Sequence, residues 1–344
     1  MDSSDSETED VPVPLQDMTL CQLVKYSNKS TRHKKEVKFM NPAREVSFNF
    51  CLSKVFGIGI RSDGKRTDGQ DDGHFVAVEL TDEPRKTRGR LIFHQCEFYD
   101  RIESIIYHDS KTKGFKLIAN YLMGLFPNAP IGYMQIGDDS FEDRKNIINW
   151  LNYNGFLIPS LEIRPHADLE VKDLSYILEN VKVTDALGIH NWLAKIPDSY
   201  RHDLPPFLKH LTCWNSHWIQ LNQLVTPYFE FIKLHKTNFT NEDMIWYVEK
   251  CLDGETQGLV YFEMDVKDMD VDTIASGVKY KEKKESKVQR LIECDEYTRE
   301  SIILIGHYDY ERDDGMIVTI GHRWTGISHD FMMFVWSKYD VREG

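Results

Sequence analysis

The sequence predicts an α/β protein: an irregular, leucine-rich-repeat-like β/α solenoid, preceded by a β-rich N-terminal section and closed by a C-terminal β-hairpin cap. Three observations predict this. Between residues 131 and 266, short apolar runs alternate with amphipathic helical stretches. Strand starts there recur about every 20 to 30 residues, the range of repeats that stack one strand and one helix per unit. The chain then ends in extended runs joined by the turn residues Asp313-Asp314-Gly315.

Taken in order, residues 1–10 carry Asp2, Asp5, Glu7, Glu9 and Asp10 among Ser and Thr. So little apolar surface cannot offset ordering entropy, and a disordered acidic tail is expected. Residues 11–40 hold a short apolar helix around Met18, Leu20, Leu23 and Val24 and end in a basic run. Residues 41–126 read as a β-rich lead-in, with extended runs at 45–52, 74–80 and 90–95 and a Gly- and Asp-rich loop at 61–73. Gly57-Ile58-Gly59 reads as a turn between strands. A helix over 115–126 is stopped by Pro127 and Pro130.

The β/α section spans 127–344. Residues 131–136 form a strand, and 141–153 a helix with Ile147, Ile148 and Leu151 on one face and Gly155 behind it. A strand at 157–163 precedes the helical stripe Val171, Leu174, Ile177, Leu178 and Val181, capped at Asp168. A third unit starts at 186–190. Strand and helix then alternate at 208–213 and 218–225, at 229–235 and 242–252, and a strand follows at 259–266. Lys279, Lys281, Lys283, Lys284 and Lys287 alternate with Glu282 and Glu285 in a charge run that reads as a solvated loop or helix end. Residues 302–310, 316–320 and 331–336 make the closing hairpin and a third strand.

Composition bounds the function. Hydrophobic residues make up 41% and charged residues 28%, ordinary for a globular chain. The net charge of -13 comes without a basic stripe, which argues against nucleic acid and against anionic membrane surfaces as partners. No apolar run is long enough to span a bilayer and the start does not read as a signal peptide, so a cytoplasmic or nuclear protein is expected. The six cysteines stand apart with no CxxC pair, suggesting buried free thiols.

A search for chemistry finds little. Among thirteen histidines the densest group is His202, His210 and His217, with Cys213 between them, and its spacings fit no metal pattern. His210 and Cys213 fall on opposite faces of one strand, and His217 opens the next helix. Gly57, Gly59 and Gly64 lack both the phosphate-loop spacing and its lysine. No nucleophile elbow occurs, and Glu242-Asp243 belong to a helix start, where the macrodipole favours them. Neither an enzyme nor a cofactor is expected.

More specific strings follow. Asp173-Leu174-Ser175-Tyr176-Ile177-Leu178-Glu179-Asn180-Val181-Lys182-Val183-Thr184 comes first, then Asn215-Ser216-His217-Trp218-Ile219 with Leu221 and Leu224. Thr237-Asn238-Phe239-Thr240-Asn241-Glu242-Asp243-Met244 follows, and last Arg312-Asp313-Asp314-Gly315 before Ile317, Val318, Thr319 and Ile320. In this order they resemble four motifs of the F-box-associated type 2 family. Upstream, Asp17 to Ser27 with Lys29-Ser30-Thr31-Arg32 resembles the second half of an F-box, and only residues 11–16 stand where the first helix of a full box would lie.

The resemblance implies a non-catalytic substrate-recognition subunit of a Skp/cullin/F-box ubiquitin ligase. Leu15, Met18, Leu20, Leu23 and Val24 would meet the Skp-type adaptor, which joins the cullin scaffold. The β/α body would hold an unidentified target protein through its exposed strand face or its loops, with Trp192, Trp214, Trp218 and Trp246 as candidate anchors, although each reads more readily as core. The shortened box keeps a second reading open: a stand-alone protein-binding or decoy scaffold with no adaptor.

Overall fold

In the computed structural model the described residues are 46–52, 56–62, 75–81, 95–96, 99–107, 110–125, 127–137, 140–164, 169–190, 196–280, 282–283, 293–294, 300–301, 305–324 and 329–337. The chain divides into two compact units, 1–131 and 132–344.

The first unit carries strands β1 (Val46–Leu52), β2 (Phe56–Ser62), β3 (Phe75–Thr81), β4 (Gln95–Cys96) and β5 (Tyr99–Tyr107), and helix α1 (Lys111–Leu125). β1, β2 and β3 pair antiparallel, and β5 joins β3 in parallel. Phe48, Phe50 and Leu52 are buried at every second position of β1. Phe115 of α1 packs edge-on against Phe50 at 5.1 Å and Phe56 at 5.7 Å. Gly57-Ile58-Gly59 is not the expected turn but the middle of β2. Burial of Phe56 and Ile58, at about 1.5–3 kcal/mol each, outweighs the ~0.5–1 kcal/mol that each glycine costs in a strand. Helix α1 also begins one turn earlier than its apolar pattern suggests. The extended run at 90–94 and the loop at 63–73 lie outside the described residues.

The second unit is mixed α/β around a ten-stranded sheet. Its strands are β6 (Ile131–Ile136), β7 (Ile158–Ile163), β8 (Val183–Ile189), β9 (His210–Cys213), β10 (Phe231–Leu234), β11 (Tyr261–Asp265), β12 (Glu282–Lys283), β15 (Ile305–Glu311), β16 (Met316–Trp324) and β17 (His329–Ser337), in the order β12-β15-β16-β17-β11-β10-β9-β8-β7-β6. β13 (Glu293–Cys294) and β14 (Glu300–Ser301) pair separately. From β6 to β11 the strands run parallel and in sequence order. Beyond β11, β17, β16 and β15 continue antiparallel, so the closing hairpin extends the sheet.

Helices α2 (Phe141–Tyr153), α3 (Val171–Asn180), α4 (Asn241–Leu252) and α5 (Val271–Gly277) complete the unit. Ile147, Ile148 and Leu151 of α2 and Leu174, Ile177 and Leu178 of α3 are buried, as their spacing predicts. Ser140 caps α2 and Thr240 caps α4, where Asp243 returns the bond to the Thr240 amide at 2.8 Å. The N-cap of α3 is Glu170, its amide donating to Asp173 at 3.3 Å; Asp168, the expected cap, lies outside the described residues. The helix expected over 218–225 is one 3-10 turn, Leu221–Leu224. Trp218 and Leu224 are both buried, so their spacing records two anchors of a loop rather than a helical stripe. Within the charge run, Glu282 and Lys283 pair with Tyr310 and Asp309 as a short strand. No described helix is long and apolar enough to cross a membrane.

Candidate functional site

The strand order decides where a site can lie. Each strand from β7 to β11 is added on the same side of its predecessor. Right-handed crossovers then place the described connecting helices on one face and leave the other without them. Leu161 and Ile163, Leu187 and Ile189, Leu211 and Cys213, Ile232 and Leu234, and Phe262 and Met264 form the buried rows. Tyr247 of α4 stacks on Phe262 at 4.4 Å, which marks that side as the helix side. The alternate residues therefore face away from the helices.

Three rows cross this second face in register. The first is Tyr133, Ser160, Ala186, His210, Phe231, Tyr261, Phe334 and Thr319. The second is Gln135, Glu162, Gly188, Thr212, Lys233, Glu263 and Met332, by the same pairings. The third follows at the strand ends with His190, Trp214 and His235.

Aromatic contacts run along the first row. His210 meets Phe231 edge-on at 6.4 Å, Phe231 stacks on Tyr261 at 4.7 Å, and Tyr261 meets Phe334 at 5.0 Å. Phe334 stacks on Trp336, whose indole N–H donates to Thr319 at 2.9 Å. Tyr261, Met332 and Phe334 are buried, whereas His210 is exposed and Ser160, Ala186, Thr212, Phe231 and Lys233 are half-buried. The accessible part of the face thus spans β6 to β10.

Two tyrosine–glutamate pairs sit on it. The Tyr261 hydroxyl donates to Glu263, which also receives Lys233 Nζ at 3.3 Å. The Tyr133 hydroxyl donates to Glu162 and accepts from Gln135 Nε2 at 3.0 Å. Burial, then the Glu162 bond, pushes the Tyr133 phenol well above its ordinary range. In the third row the Trp214 ring lies on His235 at 4.3 Å, and its Nε1–H donates to His190 Nδ1 at 2.9 Å.

The sequence-derived candidates are dispersed by this geometry. Trp214 lies on the helix-free face, Trp218 is fully buried, and Trp246 is partly exposed on α4. Trp192 and the adaptor-facing set Leu15, Met18, Leu20, Leu23 and Val24 lie outside the described residues. His202 approaches Glu179 at 3.5 Å, His210 points outward, and His217 Nε2 lies 3.0 Å from the Ile196 carbonyl, ahead of a turn rather than opening a helix. Burial pushes the Cys213 thiol up to about 12. Among the described residues no group of three or more His, Cys, Asp or Glu is arranged to hold a metal ion.

The described motifs are scaffold. The Ser216 hydroxyl donates to the His235 carbonyl at 2.7 Å, tying the loop after β9 to the end of β10. Asp265 accepts from the amides of Lys236 at 2.6 Å and Thr237 at 2.8 Å, and Asn241 braces the turn at Asp268 and Asp270. Arg312 pairs with Asp314 across the turn that Gly315 closes at φ +84°.

Comparison with known families bears on this unit directly. Residues 199–264 match the family model described as F-box associated. The stretch supplies β9, β10, α4 and nearly all of β11, and it contains the two middle motif strings, at 215–224 and 237–244. Over these residues the chain is similar to F-box associated, type 2, regions. Regions of this kind are in general substrate-binding rather than catalytic. No curated protein and no solved structure matches the chain.

Sequence reasoning missed Tyr133, Glu162, His190, Phe231, Lys233, His235, Tyr261 and Glu263 as site residues. The available signal was the strand alternation itself: from 160 to 163 and from 231 to 234 every second residue is polar or aromatic where its neighbours are aliphatic.

Proposed function

We propose that the chain is the non-catalytic substrate-recognition subunit of a Skp/cullin/F-box ubiquitin ligase, with its target held on the helix-free face between β6 and β10. The F-box associated match at 199–264 carries this reading, because it supplies the strands on which His210, Phe231 and Lys233 stand. In this reading 127–344 is the F-box-associated type 2 domain, a leucine-rich-repeat-like array, 41–126 its lead-in and 11–40 an F-box-like segment docking on the Skp-type adaptor. The in-order parallel strands support the array.

Function is then positional. The face grips a target and presents its lysines to a ubiquitin-charged enzyme on the cullin scaffold, in the cytoplasm or nucleus. The rate gain comes from effective concentration, with no side chain of this chain reacting. Capture of purified Skp-type adaptor by the full chain tests the docking step. The wild type retains adaptor and the L20D/L23D variant does not, since several apolar anchors at about 1.5–3 kcal/mol each are replaced by charge. No adaptor retained by the wild type contradicts the ligase role and leaves a stand-alone binding scaffold.

A further inference from the structure

The two tyrosine–glutamate pairs on the helix-free face differ in one respect. Glu263 is buried and its charge is met inside the protein by Lys233 at 3.3 Å as well as by the Tyr261 hydroxyl. Glu162 is half-buried, and Tyr133 is its sole hydrogen-bond partner among the described residues. Arg164, just past the strand end, makes no ion pair with it. In the row that holds both carboxylates, the strand neighbours of Glu162 are Gln135 and Gly188, so neither supplies the cation that Lys233 gives to Glu263.

The space beside Glu162 is shaped as well as charged. A side chain at position 188 would start 3.0 Å from His190 Nε2 and 3.6 Å from Glu162 Cγ, so the glycine leaves open the gap between that ring and that carboxylate. Ser160 and Ala186 keep the neighbouring row low. Trp214 Nε1–H donates to His190 Nδ1, which puts the imidazole proton on Nε2, the atom that borders the gap. The site therefore offers an unmatched carboxylate, one neutral N–H donor and the aromatic edges of Tyr133, His190 and Trp214.

We infer that this site receives a basic side chain, lysine or arginine, from the polypeptide bound on the face, its cationic head taking at Glu162 the place that Lys233 holds at Glu263. A half-desolvated carboxylate without a cation favours a positively charged occupant. An acidic side chain is repelled there, and an aliphatic one leaves the carboxylate desolvated and unpaired. The inference rests on the recognition reading above and adds the chemistry of what is recognised.

Selection of phage-displayed random peptides on the immobilised full chain tests it. Retained peptides are expected to carry Lys or Arg at one fixed position, and synthetic copies with Lys, Arg, Leu or Glu there separate the two cations from each other and from neutral and acidic occupants. The near-isosteric Glu162→Gln should weaken the basic copy roughly tenfold or more while leaving the Leu copy unchanged. Gly188→Ala, which fills the gap, should weaken the basic copy without altering charge. Phe231→Ser reports on the face itself. Peptides that lose binding with Phe231→Ser yet show no basic preference, or keep it with Glu162→Gln, overturn the inference and leave the face reading intact. Peptides indifferent to Phe231→Ser overturn both.

Discussion

Trp214 is held in place by two histidines that differ in what they do for it. His235 lies flat against the indole, whereas His190 accepts its N–H on Nδ1. Burial, as the leading cause, holds both imidazoles below the ordinary value of 6.5, against the opposing pull of Glu162 on His190 and of Glu263, Asp330 and Asp265 on His235. Lys233 adds to the depression at His235. Protonating His190 would set an N–H against the Trp214 N–H. The sign of the linkage follows: a histidine depressed in the folded state takes up its proton first in the unfolded chain. Its contribution is complete above 6.5 and is lost as pH falls from there through the lower folded values. Urea midpoints should therefore drop between about pH 7.5 and about pH 5.5, with a smaller drop in His235→Asn. An identical drop in that variant would remove His235 from the account. None of this was legible in the sequence, because residues 190, 214 and 235 become neighbours only through the sheet register.

Among the elements, the pair α2 and α3 depends on one buried ion pair. Arg144 Nη2 meets Asp173 Oδ2 at 3.1 Å, both side chains are almost wholly buried, and Nη1 also donates to the Gly137 carbonyl at 3.1 Å. Such a pair contributes little net stability beyond an apolar substitute, yet removing one partner strands a charge. Arg144→Ala should cost about 3–5 kcal/mol in chemical denaturation, and the double variant R144M/D173L should recover most of it. Equal losses in the single and double variants would contradict the pairing. At this scale the sequence was informative where the pattern was local. The α3 stripe and the acidic start of α4 at Glu242 and Asp243 are both local signals. It misled where burial came from outside the segment, as with the glycines of β2, carried by pairing on both sides, and Trp218 and Leu224, buried by a single turn.

For the molecule as a whole, the spacing of apolar runs was enough to anticipate alternating strands and helices and the closing hairpin. It did not reveal that β17 pairs with β11, because that contact joins distant residues with no local pattern between them. Nor did it reveal which face would stay free of helices, which follows only from the in-order parallel addition of strands. That face, with Phe231 on its β10 side and Glu162 toward β6, is the surface proposed for recognition. The most direct test expresses wild type, Phe231→Ser, His210→Glu and the helix-side Trp246→Glu, checks that each melts as the wild type does, and quantifies the proteins each retains in cells. The account predicts that one set of partners is lost with both Phe231→Ser and His210→Glu and retained with Trp246→Glu, while adaptor binding is the same in all four. Partners lost with Trp246→Glu and kept by both face variants would contradict it.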